Sequence, residues 1–269
     1  MNSYETKMAY ILSQLVDKNG VVGIKTSFED EGATFNEVIR LKEISNQSNT
    51  KINLKIGGPE AIRDIKDSLV IGVKGLVAPM VESAFGLKKF IDAVNKNIVG
   101  PCARDSLNLA INVETITAIN NLDQILESEC IDQLYGITIG RSDLIASMGF
   151  EKKRINDKEV YKIVSDAFRK VKKNGLKAIM GGGIDIQSYD FVKELHKEGL
   201  LDRIETRYVM FDLSKCISQF ENNLLKAQEF ELNWLNNKRQ IYGQRSTIEE
   251  SRIEMIGKRI KESFEKVGK

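Results

Sequence analysis

Two carboxylates stand at the ends of consecutive apolar, β-branched runs: Glu114 in Asn112-Val113-Glu114-Thr115 and Asp143 in Gly140-Arg141-Ser142-Asp143. Such a pair supplies the hard oxygen ligands that Mg²⁺ or Mn²⁺ takes from a protein while keeping waters for a substrate. Other charged or glycine-rich groups follow similar runs: Lys25 with Glu29-Asp30-Glu31, Lys55 in Leu54-Lys55-Ile56, Glu82 in Pro79-Met80-Val81-Glu82, Gly181-Gly182-Gly183, and Glu205-Thr206-Arg207. A charge placed directly after a buried strand needs a partner or a metal, because leaving it alone in a low dielectric is costly. These groups are therefore expected to meet on one rim.

Other chemistries are disfavoured. The single histidine, His196, sits in the helical pattern Phe191-Val192-Lys193-Glu194-Leu195-His196-Lys197, away from every strand end, which argues against a histidine triad, a three-histidine zinc site and a histidine base. Cys102, Cys130 and Cys216 are dispersed, with no CxxC pair, as expected of a chain in a reducing cytosol. Cys102 reads as a loop residue. The triple glycine either brings backbone N–H groups to an anion or makes a tight bend. Lys25 reads equally as a reactive amine or as the partner of Glu29 or Glu31. With 40 Lys and Arg against 38 Asp and Glu, no global field attracts nucleic acid, and no basic and aromatic clusters occur.

The elements that must carry these residues alternate. Short apolar runs recur at Val21 to Ile24, Ile52 to Ile56, Gly75 to Ala78, Leu109 to Val113, Tyr135 to Ile139, Leu176 to Met180 and Tyr208 to Phe211. Segments such as Phe35 to Ser45, Glu82 to Asn95 and Val160 to Asn174 place apolar residues three or four apart between them, as amphipathic helices do. Sustained βα alternation predicts a parallel sheet covered by helices. Functional groups at the ends of many strands, with no GxGxxG after the first, favour a (β/α)8 TIM-barrel-like fold over an open sheet. Seven strands are visible, so the eighth of a standard barrel is hidden, degenerate or absent. The chain divides into a barrel over 1–215 and a C-terminal helical extension over 216–269, which either packs on a neighbouring subunit or covers its own barrel. The N-terminus lacks the continuous apolar stretch of a signal peptide, and no run reaches the about 18 residues that span a bilayer.

Taken together, Val77-Ala78-Pro79-Met80-Val81-Glu82-Ser83, Asn112-Val113-Glu114-Thr115 and Ile139-Gly140-Arg141-Ser142-Asp143-Leu144-Ile145-Ala146-Ser147-Met148-Gly149 resemble, in order and spacing, the core of the HpcH/HpaI aldolase/citrate lyase family. The likeness covers roughly residues 50 to 215. It implies a phosphoenolpyruvate/pyruvate-type barrel and a metal-dependent carbon–carbon lyase acting on a small 2-oxo acid through an enolate. It further implies a homo-oligomer with exchanged C-terminal helices, which the cysteine usage places in the cytoplasm. Glu114 and Asp143 match the family's metal ligands, and Lys55 stands where the aldolases place a carboxylate-binding Arg. Lys acts there as a point charge rather than a bidentate fork. The family's histidine base has no counterpart.

The chemistry needs a Lewis acid, a cation for the carboxylate and a base for the hydroxyl proton. With Mg²⁺ or Mn²⁺ on Glu114 and Asp143, the catalytic candidates are Lys25, Glu29, Glu31 and Arg141. Those for substrate binding are Lys55, Glu82, Arg207 and Gly182. The alternatives are a Schiff-base lysine aldolase using Lys25 or Lys55, an acyl-thioester lyase, and a non-catalytic barrel subunit.

Overall fold

The structure, a computed structural model, describes residues 1–100, 104 and 106–267. Cys102 therefore lies outside the described residues. Helix α1 (Ser3–Asn19) precedes β1 (Val21–Ser27), α2 (Phe35–Gln47), β2 (Ile52–Lys55), α3 (Ile62–Ile71), β3 (Gly75–Ala78), α4 (Ala84–Asn97) and β4 (Asn108–Val113). Short helices α5 (Ile116–Asn120) and α6 (Leu122–Leu126) lead to β5 (Gly136–Gly140), α7 (Arg141–Ser147), α8 (Lys158–Lys173), β6 (Lys177–Gly181) and α9 (Tyr189–Lys197). Then come β7 (Arg203–Glu205), β8 (Val209–Asp212), α10 (Leu213–Cys216) and the long α11 (Phe220–Val267).

The eight strands close into a barrel in chain order. The hidden strand is β7, three residues long and too short to register as an apolar run. An all-parallel sheet needs correction, because β8 runs antiparallel to both β7 and β1. The cause is connection length: only Thr206, Arg207 and Tyr208 join β7 to β8, and a parallel pair would need a crossover of a dozen residues or so. A hairpin is the only solution, and it puts Arg207 at the end of the barrel where the parallel strands finish.

Side chains alternate along β2 and β4. Ile52 and Leu54 of β2, and Leu109, Ile111 and Val113 of β4, are buried in the apolar layer beneath the helices. Asn53 and Lys55, and Asn112, face the barrel interior instead. Each helix buries one stripe, as in α8, where Val160, Val164, Ala167, Phe168 and Val171 are buried while its last turn carries Lys170, Lys172 and Lys173.

Because β8 is reversed, the chain leaves the barrel at the opposite end from the rim. Helix α11 then returns along α1, with Lys226 Nζ donating to Gln14 Oε1 at 2.9 Å and Asn237 Nδ2 to buried Glu5 Oε1 at 3.1 Å. Phe220, Leu224, Ala227, Phe230 and Trp234 bury its inner stripe. From residue 242 to 258 every described side chain is exposed. Among the described residues, no helix is long and apolar enough to cross a membrane.

Asp202 ties β6, α8 and the start of β7 together. Lys172 Nζ donates to both of its oxygens at 2.9 Å, and the Ala178 N–H donates to Oδ2 at 2.9 Å. Burial alone raises its pKa, but the hydrogen bonds from Lys172 and Ala178 and the charges of Lys172 and Lys177 outweigh this, holding Asp202 below the usual carboxylate range. A carboxyl whose folded pKa is depressed stabilises the fold above its unfolded pKa and loses that contribution as pH falls through the folded value. Asp202→Asn is expected to cost about 1–3 kcal/mol at pH 7. Urea unfolding should show the gap from wild type closing below about pH 4; a gap independent of pH would overturn this account.

Candidate active site

At the end of the barrel where the parallel strands finish lies a cavity of about 500 Å³. Glu114, directly after β4, is its most enclosed carboxylate, 2% exposed. Its Oε1 accepts the Met80 N–H and its Oε2 accepts Asn112 Nδ2, both at 3.0 Å. Met80 holds φ +52°, a left-handed conformation uncommon outside glycine. A Cβ on Gly140 would stand 2.6 Å from Glu114 Oε2, so glycine at the end of β5 is what makes room for the carboxylate. Burial, and less so the Asp143 charge, raise the Glu114 pKa against the Met80 and Asn112 hydrogen bonds and the Lys55 charge.

Asp143, on the first turn of α7, lines the same cavity with no hydrogen-bond partner among the described residues. Its pKa is raised by burial and by the charges of Asp30 and Glu29, with Lys55 opposing. Lys55 Nζ pairs with Glu29 Oε2 at 2.8 Å. Burial alone would lower its pKa, but the Glu29 hydrogen bond and the charges of Glu114, Glu29 and Asp30 prevail and raise it, so Lys55 stays an ammonium. Across the barrel, Lys25 Nζ meets Glu205 Oε2 at 2.8 Å, so its partner is neither Glu29 nor Glu31. Arg207 on the hairpin turn holds Asp30 Oδ2 at 2.9 Å and Glu31 Oε1 at 3.4 Å. Glu31 also accepts Thr26 Oγ1, and burial raises its pKa against the neighbouring Arg207 and Lys25 charges.

The structure thus brings Lys25, Glu31, Lys55, Glu114, Asp143, Gly182 and Arg207 to one cavity, with Glu29 behind Lys55. It does not bring Glu82, whose carboxylate is taken by Thr115 Oγ1 at 2.5 Å outside the cavity wall. Asn112, Asn53, Thr138 and Asp185 also line it without having been singled out in the sequence, as do Leu224, Gln228 and Glu231 of α11. Counting back two residues from Lys55 and Glu114 finds Asn53 and Asn112; nothing in α11 marks its three.

Buried Glu114 and exposed Asp143, whose charged forms are both penalised by desolvation, with no histidine or cysteine in the lining, together fit a hard divalent cation that keeps water or substrate oxygens as its other ligands. Among the described residues no group of three or more His, Cys, Asp and Glu is arranged to hold a metal. A protein share of two ligands from Glu114 and Asp143 is compatible with Mg²⁺ or Mn²⁺ and not with a zinc cage.

Arg141 is fully buried and turned away from the cavity. Its guanidinium donates to the carbonyls of Gly182 at 3.2 Å and Gly183 at 2.8 Å and to Asn156 Oδ1 at 2.9 Å, and lies 4.6 Å from the centre of the Phe191 ring. Burial pulls its pKa down to about 10. Gly182, at φ +74°, packs so closely on α7 that a Cβ would stand 2.5 Å from Ser142 N. The triple glycine is therefore a tight bend whose carbonyls face Arg141. Arg141→Met is expected to cost roughly 2–5 kcal/mol by leaving those carbonyls unpaired. Chemical denaturation checks this, and a loss under about 1 kcal/mol would refute the clamp.

The HpcH/HpaI aldolase/citrate lyase family model matches residues 47–194. A 2-keto-3-deoxy-L-rhamnonate aldolase of Escherichia coli is 32% identical over 132 residues, 41% of this chain and 48% of that protein. The chain thus spans about half the length of the curated relatives it matches. An HpcH/HpaI aldolase from Desulfitobacterium hafniense superposes with a TM-score of 0.60 at 15% identity over 76% of this chain and 82% of that one. A family protein from Burkholderia cenocepacia gives 0.63 at 12% identity over 90% of each. At these identities the superpositions speak for the fold alone. The matched segment carries β2 to β6 with Lys55, Glu114 and Asp143, and it extends over more than half of the sequence: the chain belongs to the HpcH/HpaI aldolase/citrate lyase family.

Proposed function

We propose that the protein is a metal-dependent carbon–carbon lyase of the aldolase type, acting on a small 2-oxo acid through an enolate. The observation that carries this reading is the convergence of Glu114, Asp143 and Lys55 on one cavity, close enough for the Lys55 charge to act on both carboxylates. Glu114 and Asp143 would hold Mg²⁺ or Mn²⁺, which when bound supplies Lewis-acid polarisation of the oxo group.

The chain's own groups do the rest. Lys55 attracts the substrate carboxylate as a point charge, with Glu29 limiting its motion. Glu31, whose charged form burial penalises, accepts the 4-hydroxyl proton as the C3–C4 bond breaks. The electron pair of that bond passes to C3 and the oxo group, the aldehyde leaves, and protonation at C3 completes the 2-oxo acid product. Arg207 and Thr26 orient Glu31. The aldolase activity named for the Escherichia coli relative fits this bond cleavage. The reading includes a homo-oligomer in the cytoplasm, for which exposed Ile253 and Ile256 on distal α11 and the free Cys130 and Cys216 are the support.

Calorimetry with Mg²⁺ or Mn²⁺, with and without oxalate as an enolate mimic, tests the reading. Wild type should bind the metal, more tightly with oxalate, and Glu114→Ala should lose at least tenfold in affinity while remaining folded. Unchanged metal binding in Glu114→Ala, or a lysine adduct trapped by borohydride with pyruvate, would replace this reading with another. In the assay for 4-hydroxy-2-oxo acid cleavage, Glu31→Gln is expected to lower kcat by about 10²–10⁴.

A further inference from the structure

The cavity has two unlike sides. Lys55, Glu114 and Asp143 lie within the family-matched segment, whereas Lys25, Arg207 and the α11 wall lie outside it. On α11, Leu224, Gln228 and Glu231 are spaced four and three residues apart, so the helix presents them on one face. Gln228 and Glu231 have no hydrogen-bond or ion-pair partner among the described residues, and of the cavity's cations Lys25, Lys55 and Arg207 are each held by a carboxylate while Lys152 has no ion pair among the described residues. An unpartnered amide and carboxylate on a cavity wall can bond a hydroxyl-bearing ligand without first breaking an internal contact.

Charge narrows the ligand further. Among the described residues seven carboxylates and four cationic side chains line the cavity. A divalent cation and a monocarboxylate head group together offset only part of that excess, so a second anionic group on the far side meets repulsion. The positive charge that acts on Glu231 is that of Arg207, already shared between Asp30 and Glu31.

Building on the lyase reading above, we propose that Gln228 and Glu231 of α11 set the acceptor specificity, selecting a neutral, hydroxyl-bearing aldehyde and rejecting an anionic one. Gln228 supplies a donor and an acceptor to the hydroxyl, and Glu231 acts both as an acceptor for it and as the repulsive element.

The test uses the full chain with Mg²⁺ and pyruvate as donor. Metal-dependent exchange of the pyruvate methyl protons with D₂O is followed first, because it requires no acceptor. The ratio of kcat/KM for glycolaldehyde over glyoxylate is then compared in wild type, Glu231→Gln and Gln228→Leu. Wild type should favour glycolaldehyde. Glu231→Gln should lower the ratio about tenfold by admitting glyoxylate, and Gln228→Leu should lower it by weakening glycolaldehyde. Without turnover, calorimetry should find 2-oxoglutarate, with its distal carboxylate, bound about tenfold tighter by Glu231→Gln than by wild type.

A ratio within twofold of wild type in both variants, a wild type that prefers glyoxylate, or exchange with condensation of neither acceptor overturns the specificity assignment while the enolate reading stands. Absence of pyruvate exchange in wild type overturns the enolate reading and this inference with it.

Discussion

A carboxylate 2% exposed at the mouth of a barrel is the constraint around which the site is arranged. Glu114 can remain there only because its neighbours supply what water would have supplied. Asn112, two residues earlier on the same strand, donates to one oxygen. Met80, from the next strand connection, donates to the other at the expense of a left-handed backbone. Gly140 on the other side leaves out a side chain that would have collided with the carboxylate. Three adjacent strands are thereby committed to one group. The hydrogen bonds occupy one site on each oxygen, and carboxylate oxygens have capacity beyond that.

The opposite side of the cavity is built on a different principle. There the carboxylates are matched by ion pairs, Lys25 with Glu205 and Arg207 with Asp30 and Glu31, and the pairing depends on the reversed last strand. Had β7 and β8 been joined by a helix, Arg207 would stand on a crossover connection rather than on a tight hairpin at the rim. The same reversal sends the chain to the far end of the barrel, so that α11 must climb back along α1 and in doing so adds a wall to the cavity. One short connection therefore determines both a rim cation and the helix that closes the side.

Much of the fold was legible because alternation with period two, broken by helical period, survives in the residues of each strand. The β2 and β4 runs identify their buried faces, and Lys55 and Glu114 mark where those strands end. What was not legible had weak local signals. Three-residue β7 contains Arg203 and Glu205 around a single Ile204 and so offers no apolar run of its own. Arg141 sits beside the metal-candidate Asp143 in sequence, yet a helix turns successive side chains about 100° apart, and its guanidinium goes to the Gly182 and Gly183 carbonyls instead. Glu82 belongs to a motif-bearing segment but is captured by Thr115 before it reaches the cavity.

By itself the amino-acid sequence determined the barrel class and the positions of most strands, and it marked Glu114 and Asp143 as strand-end carboxylates, because burial pattern and strand ends are local properties. Only the tertiary structure decided the partners: Glu205 rather than Glu29 or Glu31 for Lys25, a carbonyl cage for Arg141, and an α11 wall for the cavity. Pairing between groups far apart in the chain depends on strand direction and barrel closure. Those are set by the geometry of the whole sheet, which no local run of residues encodes.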